Sequence, residues 1–259
     1  MTAQQVVVAA VLCLSYLLTG NVCPAQTSFH GDFLAGQPSG TFDTWGLAAG
    51  DFNGDGKLDL ATVSLNESTL SVFLGNGDGT FTGGFTYSFT AEPNSPRSLI
   101  AADVNGDGKL DLIVTCYNSL NVTNGGTVSV FLGNGDGTFA HHADYVVNHH
   151  PVAVVAADCN GDGALDLAAT VNDAGTAAIL LNNGDGTFQA PVSYGASNGP
   201  YGVAVGDFNG DGKSDLAVTN YCTVGQSPLV CTGSYIRTVS VLRGNGDGTS
   251  KPRAVSRLV

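Results

Sequence analysis

One nine-residue motif, written four times along the chain, limits what the chain can fold into. Asp51-Phe52-Asn53-Gly54-Asp55-Gly56-Lys57-Leu58-Asp59 returns at Asp103 to Asp111, at Asp158 to Asp166 and at Asp207 to Asp215, with starts 52, 55 and 49 residues apart. A second element follows each copy: Gly75 to Phe81, Gly133 to Phe139, Asn182 to Phe188 and Gly244 to Thr249. A period near 50 residues built from short units points to a repeat architecture. Between the markers lie short apolar runs. A small-residue run precedes each motif (Trp45 to Gly50, Arg97 to Ala102, Val152 to Ala157, Tyr201 to Gly206). A run such as Leu60 to Val63 follows it, then one such as Leu70 to Leu74, then a fourth after the second element. Four β runs per period, three of them separated by Asp/Asn/Gly turns, describe a four-stranded propeller blade. The expectation is an all-β chain, a β-propeller of four visible four-stranded blades, with the Ala/Gly-rich run as the innermost strand where blades converge.

Composition agrees. Of 22 acidic residues 20 are Asp, and glycine numbers 36; both residues favour turns, whereas Glu favours helices. The formal net charge of −13 argues against nucleic acid and against a polybasic membrane patch, since little is present to neutralise phosphates. Hydrophobic residues make up 43% and charged residues 12%, the balance of a packed chain rather than a disordered one.

The motif itself has the chemistry of a calcium loop. Calcium takes six to eight hard oxygens. Positions 1, 3, 5 and 9 offer side-chain oxygens: Asp51, Asn53, Asp55 and Asp59; Asp103, Asn105, Asp107 and Asp111; Asp158, Asn160, Asp162 and Asp166; Asp207, Asn209, Asp211 and Asp215. Position 7 offers its backbone carbonyl, so its side chain is free to vary among Lys57, Lys109, Ala164 and Lys213. Glycine at position 6 permits the positive φ that wraps the loop. An EF-hand would need Glu at position 12, where Thr62, Val114, Ala169 and Val218 stand. About four calcium ions are expected, one per repeat. Asp78, Asp136, Asp185 and Asp247, in Asn-Gly and Asp-Gly turns, read as turn residues rather than ligands.

The D-x-N-x-D-G-x-x-D loop, the strand after it and the L-G-N-G-D-G-T-F element at Leu74 to Phe81 resemble the FG-GAP/VCBS repeat family, over about residues 40–250. That resemblance implies an integrin-α-like β-propeller, usually of seven blades, with calcium between the first two strands of each blade. It also implies a role in adhesion or in binding a protein or carbohydrate at a surface. With four inner strands visible, ring closure stays open: four blades, a truncated ring, or completion by oligomerisation. A strand near Ser28–Leu34 is one closing route.

Residues 1–25 read as a signal peptide, with an apolar run from Val6 to Leu18 too short to span a bilayer and cleavage after Ala25. Residues 26–250 form the propeller and 251–259 an irregular tail. The expected location is secreted or cell-surface, with no integral membrane segment after cleavage. Cys222 and Cys231 bracket an insertion and suit a disulfide in an exported chain. His141, His142, His149 and His150 read as exposed outer-strand residues.

At the position six residues before each motif stand Trp45, Arg97, Val152 and Tyr201. They enter the inner strands at the end opposite the acidic loops. Trp, Tyr and Arg are the residue types favoured at binding hot spots, so Trp45, Arg97 and Tyr201 mark a candidate ligand face. The alternative function is a secreted carbohydrate-active hydrolase or lyase. Its acids would lie outside the repeat positions, at Asp32, Asp43, Glu67, Glu92, Asp144 or Asp173; no catalytic motif stands in the right local context.

Overall fold

The structure, a computed structural model, describes residues 44–89, 94–118, 125–140, 143–148, 150–222, 236–251 and 254–257. These hold sixteen strands in four antiparallel sheets, each a simple four-stranded meander. Blade 1 comprises β1 (Thr44–Gly50), β2 (Asp59–Ser64), β3 (Thr69–Gly75) and β4 (Phe81–Ser88). Blade 2 comprises β5 (Asn94–Ala102), β6 (Asp111–Asn118), β7 (Gly126–Phe131) and β8 (Ala143–Asn148). Blade 3 comprises β9 (Pro151–Ala157), β10 (Asp166–Val171), β11 (Thr176–Leu180) and β12 (Val192–Gly195). Blade 4 comprises β13 (Pro200–Gly206), β14 (Asp215–Cys222), β15 (Ile236–Leu242) and β16 (Ala254–Arg257).

The Ala/Gly-rich strands β1, β5, β9 and β13 are sheet edges that pack side by side, as expected of the innermost strands. Strand alternation then gives each inner blade two buried faces. On β6, Leu112, Val114 and Cys116 join the core shared with blade 1, while Ile113 joins the core shared with blade 3. On β10, Leu167, Ala169 and Val171 face blade 2, and Ala168 faces blade 4. The hydrophobic core is therefore three slabs, one per blade junction, rather than one central mass. Aromatic side chains thicken the first slab, where Phe52 meets Phe139 edge-on at 5.7 Å between ring centroids.

The four sheets do not close into a ring, and among the described residues blades 1 and 4 each leave one face without a neighbouring blade. The segment 251–259, expected to be irregular, contributes β16, which pairs with β15 from Val241↔Ala254 to Thr238↔Arg257. The turn after β15, closed by the Asn245 N–H to the Thr249 carbonyl (3.0 Å), brings the chain back beside that strand, and four residues suffice for an outer edge. The signal segment, Ser28–Leu34 and Cys231 lie outside the described residues. Cys116 and Cys159 are free thiols in the core, and burial pushes both up to about 12.

Candidate metal loops and the opposite face

Each nine-residue motif links an inner strand to the second strand of its blade, so all four loops sit at the same end of the blades. Local hydrogen bonds shape the loop. The Asp51 carboxylate accepts from the N–H groups of Gly54 (2.7 Å), Asp55 (3.2 Å) and Gly56 (2.8 Å). Asp103 and Asp207 do the same in their loops, and Asp158 accepts from Gly161 and Gly163. The glycine at position 6 has φ of +81° at Gly56 and +90° at Gly163, and no atom lies near enough to crowd a side chain there. Backbone conformation, not space, demands glycine at that position. Position 4 is also glycine with positive φ (Gly54, +75°), a second backbone constraint on the loop.

Position 9 does more than supply a ligand oxygen. The Asp59 carboxylate is fully buried and accepts from Phe52 N–H and Gly75 N–H, both at 2.8 Å. Asp111 accepts from Val104 (2.9 Å) and Gly133 (2.8 Å), Asp166 from Cys159 (2.9 Å) and Asn182 (2.8 Å), and Asp215 from Phe208 (3.1 Å) and Gly244 (2.9 Å). In every blade this side chain ties the acidic loop, the start of the second strand and the end of the third strand together. The burial is costly. It pushes the Asp111 carboxyl above its ordinary pKa; the Gly133 and Val104 N–H groups pull it back, and the charges of Asp103 and Asp107 add to the rise. Asp166 is raised in the same way, with Asp162 and Asp158 adding charge.

The donor set of each loop is oxygen only, with three carboxylates, one amide and the position-7 carbonyl in nine residues. That set suits calcium and not zinc or copper. Among the described residues, no three His, Cys, Asp or Glu side chains are already drawn together as a metal cage. The nearby cations are lysines at position 7: Lys57 pairs with Asp55 (3.2 Å) and Lys109 with Asp107 (3.7 Å), while Lys213 donates to the Asn245 carbonyl (2.6 Å). Asp78, Asp136, Asp185 and Asp247 are turn residues. Each accepts the hydroxyl and the N–H of the Thr two positions on, and the hydroxyl bond first of all holds each carboxyl below its ordinary range.

At the other end, the structure brings together two of the three residues proposed for a ligand face. The Arg97 guanidinium lies over the Trp45 ring at 4.7 Å and near the Tyr117 ring at 5.6 Å. Tyr117 stacks on His150 at 4.1 Å, and His150 Nδ1 is 3.2 Å from Asp173 Oδ1. The row Trp45, Arg97, Tyr117, His150, Asp173 thus crosses three blades. Tyr117 and His150 were not legible as site residues: they join the row only through contacts between blades. His150 sits in the turn before β9 with φ of +61°, not on an outer strand. Tyr201 is exposed at the same end but anchors separately, its carbonyl accepting from Thr170 Oγ1 (2.9 Å). Val152 is buried. Of the acids considered for hydrolysis, Asp144 accepts from Ser129 Oγ (2.5 Å), Asp173 pairs with His150, and Glu67 sits in a turn on Ser64 (3.4 Å); Asp32, Asp43 and Glu92 lie outside the described residues.

Four meander blades packed through their inner strands, each with an acidic loop at the same corner, define a β-propeller protein. Residues 51–114, 119–169 and 158–218 match the FG-GAP-like repeat, and the chain belongs to that family. It is 29% identical over 135 residues to a T-cell immunomodulatory protein homolog of Plasmodium yoelii yoelii, covering 45% of this chain and 18% of that protein. It is 34% identical over 87 residues to the Plasmodium falciparum (isolate 3D7) homolog, covering 32% and 12%. The chain therefore spans less than a fifth of either relative. Among solved structures, the Dos1 propeller superposes with a TM-score of 0.51 at 8% identity, over 81% of this chain and 59% of that one, a likeness of fold.

Proposed function

We propose that this chain is a secreted or cell-surface β-propeller, stabilised by about four calcium ions, that acts as a binding or adhesion module for a protein or carbohydrate ligand. The observation that carries the reading is the division of labour between the two ends of the blades. One end repeats the same oxygen-rich loop four times. The other breaks the repeat and carries exposed Trp45 beside the half-buried Arg97, Tyr117 and His150. Repeats of this kind build surface rather than a single cleft, and rigid aromatic rings flanking an arginine suit recognition of sugars or of protein side chains.

The test is a glycan and extracellular-protein array probed with the purified chain in calcium. Trp45→Ala should lower binding of any hit at least about tenfold, the loss expected of a hot-spot aromatic, and leave the melting temperature within about 2 °C, because surface changes cost within about 0.5 kcal/mol. Binding unaffected by Trp45→Ala, Arg97→Ala and Tyr201→Ala would remove this face from consideration.

A further inference from the structure

Among the described residues, the two faces without a neighbouring blade, on blades 1 and 4, are complementary. At the junction of blades 1 and 2, Phe52 is 2% exposed and packs edge-on against Phe139. Its equivalents Val104 and Cys159 are buried at the next two junctions, whereas Phe208 in blade 4 is 53% exposed. On the receiving side, Leu110 packs into the space above Gly50: a Cβ built there would lie 2.4 Å from Leu110 Cδ1. Its equivalent in blade 1, Leu58, is 55% exposed. The residue matching Gly50 in blade 4 is Gly206, which meets only the Phe208 ring. So blade 4 carries Gly206-Asp207-Phe208, the same trio as Gly50-Asp51-Phe52, without a blade to receive it, and blade 1 carries Leu58 and Phe81, which correspond to Leu110 and Phe139.

Two further details match. The Gly137 N–H donates to the Phe52 carbonyl (2.8 Å) and the Gly248 N–H to the Cys159 carbonyl (3.2 Å) across their junctions; the matching pair at the open ends is Gly79 N–H and Phe208 carbonyl. Leu74, Leu132 and Leu181 press on Gly137, Gly186 and Gly248 of the following blade, but nothing lies within 4 Å of a Cβ built on Gly79. In blade 4 the leucine is replaced by exposed Arg243. Each pressed glycine follows a turn aspartate, and beside Gly79 that aspartate is Asp78. Leu74, Leu132 and Leu181 pack on the apolar slabs of their junctions, whereas an arginine at that place can pair with the Asp78 carboxylate.

We propose that two copies of this chain associate head to tail, the Phe208/Arg243 face of each seated on the Leu58/Asp78 face of the other. Two four-blade arcs then close one eight-bladed ring, within the range of four to eight blades that propellers adopt, and twofold closure uses both open faces of both copies. The contact repeats the junction of blades 1 and 2, with one ion pair added. Exposed apolar faces of this kind mark interaction sites.

Analytical ultracentrifugation of the full chain in calcium buffer tests it. A dimer of twice the monomer mass is expected, with no larger species. Phe208→Asp should weaken association at least about thirtyfold, as loss of a buried aromatic anchor does. Arg243→Glu should weaken it at least about tenfold by facing Asp78 with like charge. Combining Arg243→Glu with Asp78→Arg should restore it, and these exposed residues keep the decision available even if Phe208→Asp misfolds. A monomer at every concentration, a dimer indifferent to the charge reversals, or open-ended oligomers would overturn the proposal, and the first would assign the two faces to another occupant.

Discussion

Removing calcium from the purified chain is expected to lower its melting temperature by roughly 20–40 °C, taking about 2–4 °C per kcal/mol for a chain of this size. Each loop holds three carboxylates, and their charges already raise Asp111 and Asp166 beyond what burial does. A divalent ion relieves that crowding. Four ions take the formal net charge from −13 to −5. At a hundredfold excess over Kd one site adds about 2.7 kcal/mol, so four add roughly 10 kcal/mol, comparable to the whole stability of an ordinary domain. Calorimetry in calcium and in excess chelator measures the difference. Superimposable scans would mean that the loops stand without an ion.

Asp111→Ala is expected to cost roughly 2–6 kcal/mol in chelator, because it strands two buried N–H groups, on Val104 and Gly133, at about 1–3 kcal/mol each, and more in calcium, where a candidate ligand oxygen is lost as well. Asp107→Ala should behave differently. Asp107 is exposed and accepts only from its own loop neighbour, Lys109 (2.9 Å), so its loss should matter in calcium and fade in chelator. Denaturant unfolding of both variants in both conditions separates the two roles. Equal effects of the two substitutions in chelator would remove the claim that position 9 is the blade's internal tie. The fourfold recurrence of that tie explains why the position is Asp, not Asn: both oxygens must accept.

What could be read directly from the residues was whatever lies within one blade. The period, the turn aspartates and the small-residue inner strands are local patterns, and the sheets follow them. What could not be read depends on which blade sits next door. Phe52 and Phe208 occupy identical local sequence, yet one is buried and the other exposed, because burial there is decided by the following blade. The Trp45–Arg97–Tyr117–His150 row is assembled from three blades, so no spacing in the chain announces it. Strand β16 lacks a local signature for a different reason: Ser250 replaces the phenylalanine that marks the fourth strand elsewhere, while the turn before it, held by Thr249 on Asp247, keeps its geometry.

The most direct measurement is a count of bound metal. The chain, purified without chelator and dialysed against micromolar calcium, should carry about four calcium ions per molecule by elemental analysis, and one fewer when Asp103, Asn105 and Asp107 are all replaced by alanine. A properly folded chain carrying no calcium would contradict the account at its centre.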